Sequence, residues 1–171
     1  MSRAFVRESD DRPEQPIARQ ASALPPGAKN YLTADGAQRL REELQRLVTA
    51  ERPSLAGLDD PEAKRQLLAL DQRIQQLEAI LQSAEVVNAS DGPADVVRFG
   101  ATVTIRRQDG EVDQYRIVGV DEIDPDRGWV SWASPIARAL MNARRGDRVQ
   151  FRFPTGTEQL EIVDITFDAP A

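Results

Sequence analysis

Three carboxyl groups, Asp59, Asp60 and Glu62, fall within one short stretch, LAGLDDPEAKRQ, between two leucine-spaced segments. Acids packed this closely can hold a metal ion. The chain has no histidine and no cysteine, so the usual general base near neutral pH and the zinc-type ligands are missing. Carboxylates and water without nitrogen ligands suit Mg²⁺ or Mn²⁺. The same acids also have a purely local use. Asp60 stands directly before Pro61, the arrangement of a helix N-cap followed by proline at the first helical position. Glu62 then lies in the first turn, where it complements the helix dipole. Asp59 has less of a capping role than the other two, so for it the structural and the ligand readings stand nearly level.

Two helical segments position this stretch. In YLTADGAQRLREELQRLVTAERP, Ala37, Leu40, Leu44 and Leu47 recur at steps of three and four, with Thr33 or Asp35 as the start signal. Pro53 is expected to interrupt or kink that helix. Beyond Pro61, the residues Leu67, Leu70, Ile74, Leu77, Leu81 and Ala84 continue a heptad seam. Each seam is a narrow stripe, which predicts an antiparallel helical hairpin with wet outer faces and the acids at its turn.

The rest of the chain reads differently. Residues 1–29 carry Pro13, Pro16, Pro25 and Pro26 with scattered charges, and are expected to be a disordered leader. Residues 30–87 form the hairpin, and the small polar residues of 88–95 a linker. From 96 to 171 the hydrophobic period drops to two. VRFGATVTIRR and VDQYRIVGV flank an Asp109-Gly110 hairpin turn, and GWVSWAS adds a strand with Trp129 and Trp132 as core or groove aromatics. SPIARALMNA is a short helix capped by Ser134 with Pro135 in its first turn, and two strands follow around Pro154-Thr155-Gly156. The fold class is α+β: an N-terminal antiparallel coiled-coil hairpin and a C-terminal β-rich domain.

Composition narrows the function. A net charge of −6 disfavours non-specific wrapping by nucleic acid and permits a positively charged protein partner. No apolar run is long enough for a bilayer span, and MSRAFVRESDD has no signal-type apolar region. A cytoplasmic protein, with a monomer as its state, is expected.

YLTADGAQRLREELQRL and ERP, then VRFGATVTI, YRIVGVDEID, SWASPIARALMNARRGD and IVDI, stand in the order found in the bacterial Gre transcript-cleavage elongation factors, which the chain resembles over residues 31–167. The resemblance implies an FKBP-like C-terminal domain that docks on RNA polymerase core at the rim of the secondary channel. It implies a hairpin that enters the channel, where acids at its tip help hold a second Mg²⁺ for the polymerase's own hydrolysis of backtracked RNA. The factor is then an accessory and no enzyme, without a cofactor of its own beyond a shared Mg²⁺ and without sequence-specific binding to nucleic acid. Asp59, Asp60 and Glu62 become the candidate acidic tip, with Asp59 and Asp60 as the metal candidates. Ser134, Pro135, Ile136, Arg138, Arg144 and Arg145 become the candidate polymerase face, with Ile136, Ala137 and Leu140 also serving the core.

Two departures bear on mechanism. The family's tip string, an acid followed by Ser-Glu-Asn-Ala, does not occur. Aligning ERP and RIQQLE leaves the hairpin short by about 14 residues, two turns per arm or ~10 Å at the helical rise. Metal ligation tolerates only a few tenths of an ångström, so a non-cleaving competitor of Gre factors is an alternative. A regulator of the nucleoside diphosphate kinase type, which shares the architecture with a short hairpin, is another.

Overall fold

A computed structural model of the chain describes residues 24–167. The leader expectation for residues 1–23 lies outside the described residues. Residues 24–29 form a turn, closed by the Ala28 amide on the Pro25 carbonyl at 2.9 Å, and Lys29 pairs with Glu85 at 2.8 Å.

The helical segment begins with a strand that the sequence pattern did not announce. β1 (Asn30–Thr33) pairs in parallel with β2 (Ala84–Val87), Asn30 opposite Ala84 and Thr33 opposite Val87. Ala84, read as the last residue of the heptad seam, is therefore extended. Between these strands run α1 (Ala34–Arg46), α2 (Arg52–Ala56) and α3 (Pro61–Ser83). Thr33 caps α1, its hydroxyl accepting from the Gly36 amide at 3.0 Å.

Pro53 widens the helix where a break or kink was expected. Residues Leu47–Glu51 form a π turn, in which the Arg52 amide reaches back five positions to the Leu47 carbonyl. A proline cannot donate to the carbonyl four residues earlier and its ring crowds that carbonyl. One wide turn absorbs both defects and the helical path continues into α2.

The chain then reverses over residues 57–60 and α3 runs back along α1. Leu40 and Leu47 pack with Leu70, Ile74 and Leu77, supported by Leu44, Leu55, Ile80 and Leu81. Salt bridges flank this seam: Arg73 grips Glu43 at 2.8 and 3.0 Å, and Arg52 meets Asp71 at 2.7 Å. Leu68, off the seam, stays exposed.

The C-terminal part is one five-stranded sheet in the order β5-β4-β3-β7-β6. Its strands are β3 (Ala101–Arg106), β4 (Val112–Val118), β5 (Trp129–Ser131), β6 (Arg148–Phe153) and β7 (Gly156–Phe167). All neighbours are antiparallel except β4 and β5. The Asp109-Gly110 turn forms as its sequence predicts, with Gly110 at φ +89° and the Glu111 amide on Asp109 Oδ1 at 2.9 Å. Alternate residues Val103, Ile105, Ile117, Leu160 and Ile162 face a single core, over which α4 (Pro135–Leu140) lays Ala137 and Leu140. Among the described residues no helix is long and apolar enough to cross a membrane.

Candidate functional site

At the tip, the three acids are placed side by side in sequence but do different work. Asp60 is the N-cap of α3. Its Oδ1 accepts from the Glu62 and Ala63 amides at 2.9 and 3.0 Å, and Pro61 follows at the first helical position. Glu62 bonds Arg65 one turn along, and accepts from Gln66 Nε2 at 3.1 Å. Asp59 projects into solvent, its side chain 94% exposed, held only by Lys64 at 2.7 Å. Leu58 beside it is 54% exposed. Among the described residues no three acids converge as a metal-binding group. The donor chemistry still fits a shared hard cation, because Mg²⁺ takes one or two carboxylates and keeps its waters. Among the described residues, the side chains of Asp59 and Glu62 and the second oxygen of Asp60 have no backbone hydrogen-bond partner, and Glu62 is taken up by Arg65 and Gln66.

On the sheet domain, Ser134 caps α4 through a 3.2 Å bond from the Ala137 amide, and Pro135 stands exposed at the first helical position. Ile136 packs partly into the core. The three arginines then separate. Arg144 pairs with Asp95 at 3.1 Å and Arg145 with Asp164. Gly146 at φ +88° and Asp147, which accepts from the Arg144 amide at 2.8 Å, shape the turn that carries them. Arg138 is exposed and has no acidic partner among the described residues. It is the candidate with a free guanidinium to offer a partner's carboxylate.

A third cluster escaped sequence reasoning: the joint between the helices and the sheet domain. Glu122, in the short turn after β4, has a side chain only 1% exposed. It accepts from the Thr33 amide at 3.0 Å, from the Gly119 amide at 2.9 Å and from the Thr33 hydroxyl. Asp35 receives both ends of the Arg116 guanidinium at 2.9 and 3.0 Å, and Asn30 donates to Asp121 at 3.1 Å. Burial pushes the Asp35 carboxyl upward, but bonds from Arg116 and Thr33 and the charges of Arg116 and Arg39 hold it below its ordinary value. Trp129, expected as a core or groove aromatic, lies among Arg39, Arg116 and Arg127, whose guanidinium carbons are 4.6, 4.9 and 5.1 Å from its ring centre. Trp132 packs on the sheet core and meets Tyr31 edge-on at 5.7 Å. The only sequence signal for the joint was Gly119 three positions before Glu122, and both lie inside the quoted YRIVGVDEID.

Residues 92–167 match the family model described as transcription elongation factor, GreA/GreB, C-term. Transcription elongation factor GreB of Neisseria meningitidis serogroup B is 40% identical, covering 81% of this chain and 94% of that protein. Transcription elongation factor GreA of Alkalilimnicola ehrlichii is also 40% identical, over 82% of this chain and 99% of that protein. A solved prokaryotic GreA/GreB factor from Nitrosomonas europaea is 26% identical, covers 81% of this chain and all of that one, and superposes with a TM-score of 0.41. The chain belongs to the GreA/GreB family of transcription elongation factors.

Proposed function

We propose that the protein docks on RNA polymerase core through its sheet domain and presents the helical pair, as a coiled-coil finger, to the secondary channel. There it modulates elongation by occupancy. What supports this reading is the separation of the two ends. The 23 residues of α3 set the exposed turn roughly 35 Å from the joint, while Arg138 and the Ser134–Ile136 edge lie on the sheet domain. The chain contributes binding and shape, and phosphodiester hydrolysis stays with the polymerase. A cytoplasmic protein is consistent with such a partner, and a monomer is the state proposed for it.

The tip favours occupancy over metal delivery. Asp60 and Glu62 serve the first turns of α3, and the spacing of ERP and RIQQLE in the sequence implies a finger about two turns per arm shorter than the family's. One observation favours a second reading, in which the tip stimulates transcript cleavage: Asp59 is nearly fully exposed and tied only by a surface ion pair, which is weak. A shared Mg²⁺ at Asp59 and Asp60 would polarise the phosphoryl oxygen and lower the pKa of an attacking water. Asp59 itself would only orient that ion.

Co-purification with core polymerase at micromolar concentration tests the docking. A complex is expected, weakened about tenfold by Arg138→Glu through loss of a charge-assisted contact. No complex with the parent protein removes the reading, and capture of a nucleoside diphosphate kinase in its place would move it to the other regulator class.

A further inference from the structure

The helices and the sheet domain are joined between β2 and β3 by one covalent crossing, residues 88–100, built of turns and bends. Their relative direction is therefore set by non-covalent contacts, and these centre on one side chain. Thr33 is at once the last residue of β1 and the cap that starts α1. Both its amide and its hydroxyl donate to Glu122, the Gly119 amide from Glu122's own turn donates as well, and the Arg39 guanidinium pairs with the same carboxylate at 3.7 Å. The point where the first helix starts is thus bonded directly to the sheet domain.

Two glycines make room for this. A Cβ at Gly36 would sit 1.7 Å from Glu122 Oε1, and one at Gly119 would sit 2.0 Å from the Tyr31 carbonyl oxygen. Gly119 has φ −68°, a value open to any residue. Its small size is required by the close approach of β1, and no unusual backbone angle demands it. Around this centre, the Asp35–Arg116 pair ties the start of α1 to β4, the Asn30–Asp121 bond ties β1 to the turn after β4, and Arg39, one turn further along α1, lies over the Trp129 ring of β5.

We propose that Glu122 is a positioning residue: with Gly36 and Gly119 it clamps Thr33 and so fixes the direction in which the helical pair leaves the sheet domain. Its consequence for the polymerase rests on the function proposed above, because a docked domain aims the finger only through a stiff joint.

The chain has no cysteine, so spin labels at Leu58→Cys and Gln108→Cys report the angle directly by double electron–electron resonance on the full chain. The parent gives one narrow distance distribution. Gly119→Ala and Glu122→Ala broaden or displace it while the amide spectrum of β3–β7 stays intact. Parent-like distributions in both variants overturn the clamp. Should either variant fail to fold, hydrogen exchange on the parent decides: the Thr33 and Gly119 amides should exchange as slowly as those of β3 and β7, and exchange as fast as in the 57–60 turn overturns the proposal. A photocrosslinker at Leu58→Cys then reads the aim on core polymerase. Gly119→Ala should bind yet lose about tenfold in crosslinking yield, since small misplacements cost heavily in alignment. Equal yields from parent and variant overturn the positioning role. A parent that binds no polymerase overturns the proposed function alone, with the clamp still decided by the label distances.

Discussion

The tip and the joint of the helical pair are both built on acidic side chains, and they use them in opposite ways. At the tip, Asp59, Asp60 and Glu62 are in water and bond only to neighbours within a few positions. At the joint, Glu122 is buried and bonds to a residue 89 positions away. An acid in water is cheap to keep and contributes little, whereas a buried one that satisfies backbone donors is costly to lose. The tip can therefore vary its acids without endangering the fold. The joint cannot.

Removing the joint acid should have the largest effect. Glu122→Ala strands the Thr33 and Gly119 amides and the Thr33 hydroxyl, each worth about 1–3 kcal/mol when buried without a partner. We expect a loss of roughly 2–5 kcal/mol in urea unfolding, in the range of the most damaging point changes. A loss below about 1 kcal/mol would show that the joint is not the stiff element described.

At the tip, Asp60→Ala should cost about 1 kcal/mol, the value of an N-cap, seen as a lower urea midpoint and frayed amides at Glu62 and Ala63. Asp60→Asn should recover most of it, because an amide oxygen also caps.

Acid sharpens the comparison further. The folded-state value of Asp35 lies below its unfolded one, so its contribution is present above the unfolded value, near pH 4, and is lost as pH falls through the folded value. The side chain is 39% exposed, so solvent screening keeps this below about 1 kcal/mol. Asp35→Asn should flatten the stability profile below about pH 4 and leave the rest unchanged. An unaltered acid limb would remove Asp35 from the joint's electrostatics. The smallest effect belongs to Asp59→Ala, which should leave the melting curve superimposable on the parent, and a clear shift would give that residue a structural duty its exposure denies.

How much of this was legible in the sequence follows from the range of the interactions. The leucine seam, the Asp60-Pro61 and Ser134-Pro135 caps and the Asp109-Gly110 turn are local, decided by residues within a turn or two of each other. Each formed as its spacing predicts, except that the seam's last residue, Ala84, is extended in β2. Pro53 was legible as a disturbance, but its cure, one π turn, depends on how the neighbouring carbonyls rearrange. β1 and β2 are four residues each, too short for a period to declare itself, and they pair only because the two ends of the hairpin return to one place. The joint was hidden for the same reason. Nothing near Glu122 in the sequence says that Thr33 will face it, and nothing near Trp129 says that Arg39 will cover its ring. Of the three candidate arginines, the sequence pattern suggested one short element, but α4 ends at Leu140 and carries only Arg138, while Arg144 and Arg145 sit in the following turn, paired with Asp95 and Asp164.

The most direct test of the account uses backtracked elongation complexes in Mg²⁺, challenged with a full-length cleavage-stimulating GreB factor while this protein is titrated in. Occupancy of the secondary channel predicts that cleavage falls as the protein saturates the polymerase, equally for the parent and for a variant with alanine at Asp59, Asp60 and Glu62. Cleavage that is undiminished at saturating protein would contradict it.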